Sequence, residues 1–147
     1  MKRFLTIVAL LMISALAFAQ RTDFCSVKAD SKEYQVFSYQ DEGGTPGYYL
    51  SLGAPAGTCI YIGANAVEAQ RTLNSLVHLV DSPEGTVQEF QARALAGGKL
   101  GAFGTTRSVV EKKSGAKHIS FPFGQTESSL SKKAATSIIA SIKGTLK

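Results

Sequence analysis

Residues 58–80 read TCIYIGANAVEAQRTLNSLVHLV, and the rhythm of apolar residues changes once within them. In the first five positions Ile60 and Ile62 alternate with Cys59 and Tyr61, a period of two that shows one face of a strand to a core. From Asn65 the apolar positions become Ala66, Ala69, Leu73, Leu76, Val77 and Val80, spaced by threes and fours as on one side of a helix. Asn65 is a good N-cap, and Asp81-Ser82-Pro83 ends the run. Arg71, Asn74, Ser75 and His78 fall on the opposite, polar side.

Upstream, the same period of two recurs. Phe24–Lys28, Glu33–Tyr39 and Gly47–Leu52 are rich in aromatic and β-branched residues and are separated by turn-forming clusters, so they predict strands with Thr58–Ile62 as a fourth. Downstream, Thr86–Leu95 fits two patterns. Phe90, Ala92 and Ala94 alternate as in a strand, while Thr86 and Glu89 make a helical capping box; the Gly97-Gly98 turn that follows favours the strand. Ser114-Gly115 predicts a hairpin between Arg107–Lys112 and Lys117–Phe123. Pro122 lacks a ladder donor, so the second arm is expected to be an edge strand or to end there. A last helix is expected over Ser128–Lys143, with Leu130, Ala134, Ile138 and Ile142 on one stripe, Glu127 at its positive end and Gly144 as its stop. The fold class is therefore α+β: a mainly antiparallel sheet with two amphipathic helices packed on it.

The N-terminus sets the expected compartment. Lys2 and Arg3 precede an uncharged stretch, Phe4–Leu16, that is too short for a comfortable membrane span, and Ala17-Phe18-Ala19 offers a peptidase site. Residues 1–19 are read as a signal peptide and residues 20–147 as a single exported domain, periplasmic in a bacterium or secreted. Without Lys2 and Arg3, fourteen basic residues face eleven acidic ones, so the mature domain is only mildly basic and no nucleic-acid partner is expected. The sequon Asn-x-Ser/Thr does not occur. Cys25 and Cys59, an even pair in an oxidising compartment, predict one disulfide, stabilising by roughly 3.5–4 kcal/mol in the chain-entropy model.

Motifs for catalysis are sparse. His78 sits on a polar helix side and His118 alternates onto the solvent side of a hairpin arm; no Ser stands in a G-x-S-x-G elbow. Asp41-Glu42 lacks the spacing of a calcium loop, and Gly97–Gly104 lacks the Gly-Lys-Ser/Thr of a phosphate loop, so neither metal nor cofactor is expected. Two distributions say more. All five tyrosines lie between residues 34 and 61, with Tyr39 and Tyr49 expected on an exposed face because Tyr48 shares its parity with Leu50 and Leu52. Charge divides as well: residues 20–80 carry four basic and six acidic side chains, residues 81–147 ten and five. Lys112, Lys113 and Lys117 ring the hairpin tip, where they either bind an anionic partner or guard a strand edge. The reading that follows is a non-enzymatic binding module for a protein or small ligand. Its rivals are a small hydrolase built on a surface histidine with a carboxylate, and an envelope protein resting on anionic lipid through C-terminal lysines.

Overall fold

The computed structural model describes residues 20–53, 57–143 and 145–146. The segment read as a signal peptide and the expected stop at Gly144 lie outside the described residues. Among the described residues nine strands and two helices follow in chain order: β1 (Gln20–Ala29), β2 (Lys32–Gln40), β3 (Pro46–Ser51), β4 (Gly57–Gly63), α1 (Ala66–Val80), β5 (Val87–Ala96), β6 (Lys99–Leu100), β7 (Gly104–Lys113), β8 (Ala116–Phe123), β9 (Thr126–Ser131) and α2 (Lys132–Ile142). The strands form one antiparallel sheet in the order β1-β2-β3-β4-β5-β7-β8-β9, with β6 folded back on β5. The α+β reading holds, and so does the strand over Thr86–Leu95.

Alternation along each strand builds the main core. Val36, Leu50, Ile60, Val110, Ile119 and Leu130 point to one face, where α1 lays down Ala69, Leu73 and Leu76 and α2 lays down Ala134, Ile138 and Ile142. Asn65 caps α1 as expected: its side chain accepts from the Glu68 amide at 2.9 Å, while the Glu68 carboxylate accepts from the Ala64 amide at 2.8 Å. The sheet curls toward this helix face until β9 lies against β2 and β4. Tyr34 Oη donates to the Ser129 carbonyl at 3.0 Å, and the Thr58 and Thr126 hydroxyls meet at 3.3 Å.

Four expectations change. The last helix begins at Lys132 rather than Ser128, because residues 126–131 pair with β8 as a strand and Ser131, not an upstream serine, caps the helix by accepting from the Ala134 amide. Glu127 is accordingly a strand residue. The arm carrying Pro122 is an interior strand, not an edge, although it does end at Phe123, directly after the proline. Its pairing to β7 stops at Ser120, so the missing donor falls beyond that ladder, and Thr106 Oγ1 donates to the Pro122 carbonyl at 2.7 Å.

The disulfide is the third correction. Both thiols are free. Cys25 packs against the helix-face core, whereas Cys59 is fully buried in a second cluster on the other face, with Phe37, Tyr39, Tyr49, Leu95 and Leu100. β2 and β3 also stand between β1 and β4, which puts their axes three strand spacings, about 14 Å, apart. Bridged α-carbons lie within about 7 Å.

The fourth correction concerns that second cluster. Tyr39 and Tyr49 do share the face opposite Leu50, but they are buried, at 6% and 2% exposure. The segment after β5 folds back over them: the Gly101 amide donates to the Ala94 carbonyl, and the Phe103 ring sits 6.4 Å from that of Tyr49 and 6.2 Å from that of Tyr61.

Candidate functional site

Arg93 organises the outer face, and sequence reasoning did not single it out. It shares its strand parity with the polar Glu89 and Gln91, yet it is only 4% exposed. Its Nη1 and Nη2 donate to the two carboxylate oxygens of Asp41 at 2.9 and 2.8 Å, Nη1 also to Tyr49 Oη at 3.0 Å, and Nε to the Gly101 carbonyl at 2.6 Å. The remaining Nη2 hydrogen faces the Leu100 carbonyl at 3.5 Å. The guanidinium lies 4.5 Å from the Phe103 ring centre, and the rings of Tyr39 and Tyr49 lie within 6 Å. Hydrogen bonds from Arg93 hold the Asp41 carboxyl below its ordinary range, and the same bonds push the Arg93 pKa up. All five donors of the guanidinium are taken. The group ties the β2–β3 loop to the β5–β7 connection and has no donor to offer a ligand. Tyr39 and Tyr49 thus pack around Arg93 and are buried, not exposed as expected.

The lysines behave differently. Register places His118 opposite Ser131 and Ser120 opposite Ser129, so the β7–β8 hairpin lies alongside the start of α2 and, through β9, beside the β1–β2 turn. Lys32 Nζ donates to Ser129 Oγ at 3.0 Å and separates two surface grooves. One, of about 390 Å³, is lined by Lys112, Lys113, His118 and Glu111. The other, of about 660 Å³, is lined by Lys28, Asp30, Glu33 and Lys133. Three chain segments far apart in sequence therefore bring their lysines to one end of the molecule.

Four carboxylates at this end, those of Asp30, Glu33, Asp81 and Glu127, have internal hydrogen-bond or ion-pair partners. Asp30 accepts from the Ser131 hydroxyl and Glu127 from the Ser120 hydroxyl. Glu33 accepts from Ser26 at 2.6 Å, which together with Gln35 holds its carboxyl below the usual range. Asp81 pairs with Lys132 at 3.0 Å, and Glu111 lies 3.6 Å from His118 Nε2. Lys117, the third lysine of the hairpin tip, spends its ammonium on the Ser82 carbonyl at 3.0 Å. Among the described residues no polar contact within hydrogen-bonding or ion-pair distance is made by the ammonium groups of Lys28, Lys112, Lys113 or Lys133. The first turn of α2 adds to the positive field, since it carries two lysines and no acid at the positive end of the helix dipole.

His118 is half-buried rather than on an open solvent face, with 15% of its side chain exposed. Its polar neighbour is Glu111; the nearby hydroxyls of Ser120 and Ser129 are engaged with Glu127 and Lys32. At 3.6 Å the Glu111 carboxylate is a neighbour and not a hydrogen-bond partner, and the imidazole is not aligned on a nucleophile. His78 is exposed at the end of α1. No cluster of three or more His, Cys, Asp or Glu side chains disposed to hold a metal ion occurs among the described residues, and no helix among them is long and apolar enough to cross a membrane.

No family model matches this chain, and neither the curated proteins nor the solved structures contain a match.

Proposed function

We propose that this chain is an exported, non-enzymatic binding module that takes an anionic, phosphate-bearing partner at its lysine-rich end. One observation carries the reading: four carboxylates there are engaged within the fold by hydrogen bonds or an ion pair, whereas four ammonium groups make no such contact among the described residues. Unpaired lysines converging from β1, the β7–β8 hairpin and α2 form a field no single segment supplies. The edge-guarding alternative is weaker in the body of the hairpin, which is interior to the sheet, though its lysine-bearing tip extends past the ladders with β5 and β9. Each lysine near an anionic surface contributes about 1 kcal/mol, so four give roughly 4 kcal/mol, an association in the millimolar class.

Sedimentation with vesicles rich in phosphatidylglycerol tests this directly. The wild type should bind at low salt, ignore phosphatidylcholine vesicles and release as ionic strength approaches about 0.5 M, where charges are screened within a few ångströms. Lys112→Glu with Lys113→Glu should abolish binding. If the vesicles are ignored while a soluble polyphosphate binds with the same mutational loss, the partner is a free anion rather than a membrane. Indifference to both probes would refute the reading.

A further inference from the structure

β4 and β5 are neighbours in the sheet, yet they pair over only four positions, from Gly57 opposite Leu95 to Ile60 opposite Ala92. Continued register would set Tyr61, Ile62 and Gly63 opposite Gln91, Phe90 and Glu89. Those pairs do not form. Each strand keeps its other neighbour throughout: Gly63 and Tyr61 still face Tyr48 and Tyr49 of β3, and Val87 to Ala92 still face Val109 to Gly104 of β7. The sheet is therefore split from one end, and two strand edges face the split.

Built features hold the split open. Ile62 is an extra residue against β3, so β4 bends there. Gly63 follows with φ +156°, and it packs so closely on the first turn of α1 that a Cβ would stand 2.6 Å from Glu68 Cβ and 2.8 Å from the Ala69 amide nitrogen. α1 then lies along the opening. The result is a cleft of about 440 Å³ between Tyr61 on one side, Gln88, Glu89 and Gln91 on another, and Glu68, Arg71 and Thr72 of the helix. The Glu68 carboxylate is engaged by the Ala64 amide, and Glu89 alternates onto the sheet face away from α1, so Arg71 is the charge left open on the helix side. Arg71, Gln88 and Gln91 are exposed and make no side-chain hydrogen bond or ion pair among the described residues. The outer edge of β9 contrasts with this, since the Ser129 carbonyl there is already capped by Tyr34.

We infer that this cleft receives an extended segment of a partner protein, which adds as a strand along the open edge of β5 and places an acidic side chain against Arg71. A strand edge satisfies a peptide backbone whatever its sequence, and flanking side chains select among sequences. Gln88 and Gln91 carry both donors and acceptors, which suits amide groups of a polar peptide, and Arg71 offers an unpaired fork to a carboxylate. From Val87 to Gln91 the edge spans about 16 Å, the length of a five-residue strand. This site is distinct from the lysine-rich end.

The test pans a displayed library of seven-residue peptides against the full chain, with Thr72→Trp, which fills the cleft from the helix, as the counter-selection. Selected peptides should carry Asp or Glu, lose at least tenfold in affinity on Thr72→Trp and on Arg71→Ala, and lose binding when alternate backbone amides are N-methylated. Hydrogen exchange should slow at residues 87–91 when peptide is bound. Failure to recover any peptide that discriminates wild type from Thr72→Trp would overturn the inference. So would peptides that tolerate N-methylation, or that protect the hairpin tip instead. Self-association of the wild type that Thr72→Trp abolishes would overturn it in favour of a second copy of this chain.

Discussion

Asp41→Ala should destabilise the protein by about 2 kcal/mol at pH 7, a figure bounded from both sides. Removing one partner of a fully buried ion pair costs about 3–5 kcal/mol, because the other charge is stranded; an exposed pair is worth about 0–1 kcal/mol. This pair is between the two. The Arg93 side chain is 5% exposed and that of Asp41 is 44% exposed, so water screens the carboxylate while the guanidinium depends on it. Two charge-assisted hydrogen bonds are lost, and Tyr49 with the Leu100 and Gly101 carbonyls still serves the other donors. For a domain of this size about 2 kcal/mol lowers the Tm by roughly 8 °C. Asp41→Asn keeps one acceptor oxygen and should cost about half as much.

The pH dependence separates this account from a mere change in loop packing. Arg93 depresses the folded-state pKa of Asp41 below its unfolded value, which is about 3.9. In the window between the two values the unfolded state binds more protons, so stability rises with pH there. The contribution is complete above about pH 5 and is lost as pH falls through the folded value. The gap between wild type and Asp41→Asn, measured by urea unfolding, should therefore be constant from pH 5 to 7 and close below about pH 4. A gap under about 0.5 kcal/mol at pH 7, or one that persists unchanged at pH 3, would refute the reasoning.

Two further expectations rest on single positions. The Cys59 thiol, desolvated and pushed up to about 11, should resist thiol reagents in the native state at pH 8, whereas the half-buried Cys25 should react first; urea should expose both, and a protein blocked to labelling in urea without reductant would show a disulfide instead. Gly63→Ala should cost about 2–4 kcal/mol, read by urea unfolding, because its new Cβ strikes the backbone of α1 and not the end of a flexible side chain.

What was legible in the sequence followed physical periods. The switch at Asn65 marked α1 because strand and helix periods differ and a cap residue stood at the change. β9 was missed because Leu130 lies four residues before Ala134, a spacing that keeps the parity of a strand and the stripe of a helix alike. Its neighbours Ser128, Ser129 and Ser131 are all cap-forming residues, and only packing chooses among them. Parity also placed Tyr39 and Tyr49 on the right face, but alternation along a strand does not say whether a distant segment folds over that face. For the same reason the burial of Arg93 was not legible. The disulfide failed because an even cysteine count carries no information about which side of a sheet each thiol faces.

Hydrogen-bond satisfaction sorts the polar groups of this protein in a way that exposure alone does not. Arg93 is buried with its donors taken and Tyr49 is buried with its hydroxyl accepting from it, so changes there should read out as stability. Lys112, Lys113 and Lys133 have no hydrogen-bond or ion-pair partner among the described residues, and Lys28 faces Glu33 across the β1–β2 ladder without a close contact, so the fold gains little from their charge, and surface changes of that kind usually stay within about 0.5 kcal/mol. Asp41→Ala should therefore lower the Tm while leaving vesicle binding at 20 °C intact, and Lys112→Glu with Lys113→Glu should do the reverse. That crossed pattern is what a fold whose binding surface was not needed to build its core must show. If both variants moved both measurements together, the lysine-rich end and the arginine-centred face would be one coupled unit, and their assignment to separate roles would fail.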